Sequence, residues 1–244
     1  MQINRDIGRA LILGSAIVVA GALVGYGLTR VRATERYVTV KGVAERQVRA
    51  DLAIWPLHLV AASNDLAGAN AEIERSVIKV REFLGRHDID TSNVTVQQFS
   101  VADAATNQFG SSSRPGSRFV IRQTLIVRST NPEAVQAASQ RVAELVSSGV
   151  VLSSGAEYGA GGPTFVFSGL STLKPAMIGE ATSRAREGAE QFARDSHAIV
   201  GGILRASQGV FEILPRDQAD GITEASQIDK TVRVVSTIDF VLAN

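Results

Sequence analysis

The stretch Arg36-Tyr-Val-Thr-Val-Lys-Gly42-Val-Ala-Glu-Arg-Gln-Val48-Arg-Ala-Asp51-Leu-Ala-Ile-Trp55-Pro-Leu-His58-Leu-Val-Ala-Ala62 decides the fold class. From Arg36 to Val48 apolar and polar residues roughly alternate, the pattern of a strand with one wet face. From Leu52 to Ala62 the chain is almost continuously apolar around Trp55 and Pro56, the pattern of a strand covered on both faces. The tight segment Arg49-Ala50-Asp51 joins them. The period then changes: Leu66, Ala69, Ile73, Val77, Val80 and Leu84 recur at three and four, with Asn64 or Asp65 as cap, which predicts a helix to about Arg86.

The same two periods organise the rest of the body. Strands are expected over Val94–Ala102 and Phe119–Ser129, separated by the serine- and glycine-rich loop Asn107–Gly116. Thr130-Asn-Pro-Glu133 sets a cap, a first-turn proline and a first-turn acid, and Val135, Ala138, Val142 and Leu145 stripe a second helix. After the link Gly155–Pro163 comes a short strand, Thr164–Phe167. Met177, Ala181, Ala185, Ala189, Phe192 and Ala193 then mark a long alanine-rich helix expected to end near Gly201-Gly202. Ile203–Ile213 and Lys230–Leu242 supply the last strands, with an exposed polar link over Pro215–Asp229. Strands grouped apart from helices predict an α+β body of mixed sheets packed with about three helices, spanning 36–244 with halves at roughly 36–149 and 163–244.

Ahead of the body, Ala10–Thr29 is free of charge, opened by Arg5 and Arg9 and closed by Arg30 and Arg32. Twenty helical residues rise about 30 Å, the thickness of a hydrocarbon core. The run is apolar on every face and longer than the apolar part of a cleaved signal, which favours an uncleaved single-pass signal-anchor over 10–29. A short tail at 1–9 precedes it and a linker at 30–35 follows. Gly21-Ala-Leu-Val-Gly25 adds the small-residue spacing that lets membrane helices approach closely. The lipid bilayer is therefore an expected partner. Arg30, Arg32, Arg36 and Lys41 outnumber Arg5 and Arg9, and by that count alone the body would stay cytoplasmic.

Composition argues against nucleic acid as a partner. The net charge is +1 and aromatics are 5% of the chain, so neither a basic field nor a stacking surface exists for nucleic acid. The absence of cysteine suits an oxidising compartment without demanding one.

Catalytic patterns are present but incomplete. Ser171-Thr-Leu-Lys174 and Ser76-Val-Ile-Lys79 have the serine–lysine spacing of penicillin-binding acyl-enzymes, yet the matching strand would be Asp229-Lys230-Thr231-Val232, with valine where glycine is needed. Ser171 or Thr172 is expected to cap the long helix instead. His58, His87 and His197 have no acid at ligand spacing; His87 and His197 suit helix C-termini and His58 a hydrogen-bonded core position. Glu180, Arg184, Arg186, Glu187, Glu190 and Arg194 place opposite charges three or four apart on the long helix, as a solvated face or an oligomer contact. Gly155–Gly162 lacks the Lys-Ser or Lys-Thr ending of a phosphate loop. No residue is assigned a catalytic, cofactor-binding or metal-ligating role, and no cofactor is expected.

The chain resembles the SIMPL-domain family, a domain of unknown function. The resemblance rests on Tyr37–Ala53, with a glycine after the first strand and an aspartate before the second, on the alanine and arginine helix Glu180–Ala193, and on the closing strand Val232–Leu242. Ala44 and Ala50 stand where the family usually has a second glycine and a proline. The resemblance implies an exported envelope protein that can form large homo-oligomers, with some relatives linked to oxidative-stress defence, and it offers no catalytic residues to carry over. It also places the body on the periplasmic side of the inner membrane, against the charge count. The expectation is a membrane-anchored, self-associating scaffold without covalent chemistry. Its rival is an envelope enzyme or small-ligand binder using the cleft between the two halves.

Overall fold

The computed structural model describes residues 14–16, 18–23, 36–104, 117–153 and 162–243. The linker 30–35, the loop 107–116 and most of the link 155–163 lie outside the described residues, as does much of the apolar run 10–29. Residues 14–16 and 18–23 of that run are helical, with Val18, Val19 and Leu23 exposed. Among the described residues no helix is long and apolar enough to cross a membrane.

The body runs β1 (Tyr37–Arg49), β2 (Leu52–Ser63), α1 (Leu66–Arg86), β3 (Val94–Asp103), β4 (Phe119–Ser129), α2 (Pro132–Gln140), α3 (Ala143–Ser147), β5 (Thr164–Val166), α4 (Leu170–Asp195), β6 (Ile199–Gln208), β7 (Glu212–Pro215) and β8 (Asp229–Ala243). One sheet has the order β3-β4-β2-β5. In the other, β8 lies between β1 and β6 and also pairs with β7. The pairings of β2 with β4 and β5, of β3 with β4, and of β8 with β6 and β7 are antiparallel, where mixed sheets were expected. The chain forms two compact units, Val43–Ala181 with Gly209–Val235, and the remainder built from the chain up to Gly42, Thr182–Gln208 and Ser236 onward.

In the larger unit α1 covers the β3-β4-β2-β5 sheet. Its cap is Asp65, whose carboxylate accepts the Gly68 N–H at 2.9 Å. Of the expected stripe Ala69, Ile73, Val80 and Leu84 are buried against Trp55, Leu57, Leu59, Ile121 and Leu125, with Val77 partly buried; Leu66 is exposed, and Phe83, outside the stripe, joins the core. Trp55 and Phe83 meet edge to face at 6.5 Å between centroids, and each such side chain contributes about 2–3 kcal/mol by leaving water. A second cluster in this unit joins Ala44, Met177, Ala181, Val232 and Val234.

In the smaller unit Ala185 and Ala189 of α4 pack on Val40, Ile238 and Phe240. The Arg186 guanidinium lies 4.9 Å over the Phe240 ring, and Thr39 donates its hydroxyl to Asp239 at 2.7 Å. Within each unit the alanine stripe of α4 thus faces the protein's own strands. It is spent on the fold and offers no helix-contact face to a second copy.

Three local expectations are corrected. The second helix is broken at Arg141 and Val142, where Ser139 turns its hydroxyl back to the Gln136 carbonyl at 2.8 Å and competes with the backbone ladder. The long helix ends at Asp195, not at the glycine pair, because His197 takes the left-handed conformation (φ 52°) and Ala198 N–H closes on the Ala193 carbonyl at 2.9 Å. Gly201 lies in β6 instead, where a Cβ would sit 3.2 Å from the Val241 carbonyl oxygen. The strand expected over Ile203–Ile213 is two strands, and at Gly209, between them, a Cβ would come within 2.7 Å of the Val235 carbonyl oxygen.

Candidate functional site

The residues with catalytic spacing are absorbed by structure. Ser171 lies inside the first turn of α4, and Thr172 gives its hydroxyl and its N–H to the Gly169 carbonyl, so neither is the helix cap. Lys174 Nζ stands 5.7 Å over the Phe211 ring. Ser76 is buried and donates to the Glu72 carbonyl at 3.0 Å, while Lys79 Nζ reaches the Ser148 carbonyl at 2.6 Å. Lys230 is fully buried, donating to the Glu224 carbonyl at 2.5 Å and paired with the Glu224 carboxylate.

The histidines lie apart. His58 Nδ1 is 2.9 Å from the Thr124 hydroxyl, and burial holds the imidazole below its ordinary pKa. His87 caps the end of α1, its ring 4.5 Å from Phe83 and its Nε2 3.5 Å from Glu144. Among the described residues no cluster of three or more His, Cys, Asp or Glu could hold a metal ion. Arg49 bridges Glu133 at 2.7 Å and Asp229 at 3.1 Å, and Arg216 bridges Asp229 at 2.8 Å and Asp217 at 3.1 Å. Asp217 and Asp229 raise the Arg216 pKa above its ordinary value. Each of these charges faces an opposite one, an arrangement that pins strand ends.

Of the α4 charges, Glu180 pairs with Arg46 at 3.5 Å, Ser183 donates to Glu187 and Arg194 donates to Gln191.

The surface that stands out is the edge strand β3. Among the described residues it pairs only with β4, and from Thr95 to Val101 it is exposed. A bulge between Val96 and Gln98 breaks the two-residue alternation. Val96 therefore pairs with Leu125, Phe99 with Gln123 and Val101 with Ile121, so all three point to the α1 face of the sheet. They are 55%, 53% and 47% exposed, because the first turn of α1, with Leu66 also exposed, stops short of covering them. An open groove of about 570 Å³ lies there, lined by Asp65, Leu66, Ala67, Asn70, Phe99, Val101 and Ile121. No charge occurs between Val94 and Ala102. Charges close the two ends: Arg118 grips Asp103 at 3.2 Å through two nitrogens, and Arg128 reaches the Thr95 hydroxyl at 3.5 Å.

Proteins blunt free edges with charge, proline or bulges. The edge strand β6 of the smaller unit follows that rule, with two register irregularities and Arg205. β3 carries apolar groups and a single bulge.

The profile of the SIMPL family, described as a protein of unknown function (DUF541), matches residues 38–239. The chain belongs to the SIMPL family. No curated protein matches it. In this SIMPL protein the aspartate before the second strand fastens the start of a distant helix. Asp51 accepts the Ser168 N–H at 2.9 and 3.2 Å and the Ser168 hydroxyl at 2.7 Å, just before α4 begins. Burial works to raise the Asp51 pKa, but the Ser168 hydroxyl and backbone bonds outweigh it and hold the carboxyl below the ordinary aspartate value.

The sequence predicts a strand over Val94–Ala102 without singling out its exposure. The signal that marks it is the three-residue step from Val96 to Phe99 in an uncharged strand.

Proposed function

We propose that this SIMPL protein is a membrane-anchored envelope protein without covalent chemistry, whose body self-associates by pairing β3 with β3 of a second copy. The observation that carries this is the uncharged, unpaired edge with Val96, Phe99 and Val101 exposed on one face. Antiparallel pairing would satisfy the outer backbone groups of both strands and cover both grooves. The absence of charge between Val94 and Ala102 favours a second copy as occupant: an antiparallel pair sets no charged side chains of the two strands opposite one another over that span. Such a contact is two-fold and closes on itself, so larger assemblies need a further contact, for which the small-residue face of the apolar run is suited.

The charge-free length of Ala10–Thr29 supports the anchor, and the family resemblance supports a body on the periplasmic side. The test is the mass of the full-length protein in detergent by light scattering. The wild type is expected as a dimer or a multiple of it. Phe99→Lys with Val101→Lys is expected to halve the particle with unchanged circular dichroism. A monomeric wild type, or an unchanged particle in the variant, contradicts the reading.

A further inference from the structure

We propose that the end of the smaller unit where β1 begins lies against the anionic surface of the bilayer, with Phe192 and Ile199 seated among the lipids. The contact rests on the anchor at 10–29. Four elements meet at this end. The Leu242 N–H bonds the Arg36 carbonyl at 2.7 Å, which sets the start of β1 beside the close of β8. Ile199 and Val200, opening β6, are in register with Ala243 and Leu242. The last turn of α4 arrives here too, because only the turn 196–198 separates Asp195 from Ile199.

This end carries large apolar groups that the fold leaves in solvent. Phe192 is 57% exposed, Ile199 66% and Tyr37 53%. Phe192 stands outside the buried stripe of Ala185, Ala189 and Ala193, so α4 turns a phenyl ring away from its own strands in its final turn. The exposed charges beside these groups are Arg36, Arg194 and Asp195, with arginine in excess. Arg194 donates to the neutral Gln191 at 2.6 Å, which leaves its charge for an outside partner. Arginine next to exposed aromatic and aliphatic groups is the make-up of a surface that meets acidic headgroups. Chain length decides between lipid and a second copy as occupant. Residues 30–35 join the apolar run to Arg36 and span no more than about 25 Å fully extended, so the anchor holds this end within reach of the headgroups. Ser207, toward the other end of β6, lies about 26 Å farther along the strand.

The chain has no cysteine, so full-length variants with one cysteine in place of Phe192, Ile199 or Ser207 can each carry the polarity-sensitive dye NBD in vesicles of phosphatidylcholine and phosphatidylglycerol. The first two each keep the other apolar group. Co-flotation with the vesicles reads the anchor alone. In floated protein, doxyl-labelled lipid should quench the dye at the Phe192 and Ile199 positions and leave that at Ser207 unchanged. Vesicles of phosphatidylcholine alone, and Arg194→Glu with native circular dichroism, should each reduce the quenching. Protein that does not float removes the anchor and this contact with it. Protein that floats without quenching at Phe192 and Ile199, or with equal quenching at Ser207, overturns the contact and leaves the anchor standing. A blue-shifted dye that doxyl lipid does not reach would seat a second copy on the patch and overturns it as well. Quenching unchanged in phosphatidylcholine alone and in Arg194→Glu overturns the anionic surface as partner.

Discussion

Replacing Asp51 by alanine removes the bonds that fasten the start of α4 to the turn between β1 and β2. Asp51 accepts two donors, the Ser168 N–H and hydroxyl, over distances of 2.7 to 3.2 Å. A bond to a charged acceptor contributes more than a neutral one, but Asp51 and Ser168 are exposed, so the freed donors find water and the loss is about 1–2 kcal/mol. For a chain of this size that lowers Tm by about 3–6 °C at pH 7. The pH dependence follows from the depressed carboxyl. A folded-state pKa below the unfolded value contributes stability that is complete above the unfolded value, about 3.9, and is lost as pH falls through the folded one. Thermal melts followed by circular dichroism should therefore show the gap between wild type and Asp51→Ala at pH 7 and its narrowing below about pH 3.5. Equal melts at pH 7, or a gap that persists undiminished at the lowest pH where both fold, would refute the reasoning.

Other perturbations separate further parts of the account. Glu224→Gln should cost more than Lys230→Met in urea unfolding: the first strands a buried ammonium, while the second leaves a carboxylate that is 35% exposed and can turn to water; equal costs would contradict the pairing. Gly209→Ala should destabilise by about 1–3 kcal/mol because its Cβ meets the Val235 carbonyl oxygen, whereas Gly202→Ala, with nothing within 4 Å, should change stability little in the same assay. Full-length protein should stay with membranes through alkaline carbonate extraction, and its recovery in the soluble fraction would remove the anchor at 10–29. A reporter fused after Asn244 should be active only outside the cytoplasm, and activity confined to the cytoplasm would reverse the orientation.

Local periodicity made much of the α+β body legible. The three- and four-residue recurrence from Leu66 to Leu84 gives α1 with its Asp65 cap, and the apolar runs give β3 and β4 to within a residue. What could not be read depends on partners distant in the chain. The interruption at Gly209 is set by Val235 on the neighbouring strand, and the Asp51–Ser168 fastening joins residues 117 positions apart. His197 ends α4 although histidine is an uncommon left-handed residue, so the glycine pair was the more visible stop. The exposure of β3 follows from sheet order, and the common face of Val96, Phe99 and Val101 follows from a bulge. Neither leaves a mark in composition.

Because the chain has no cysteine, single cysteines can report the β3 contact without background. Full-length variants carrying one cysteine at Thr95, Gln97, Phe99 or Val101, and a control at Ile203 on β6, would be oxidised mildly and run without reductant. Antiparallel β3 pairing predicts a covalent dimer from central β3 positions, falling off toward Thr95 and absent at Ile203. No dimer from any β3 position, or equal yields on β3 and β6, contradicts self-association through this edge.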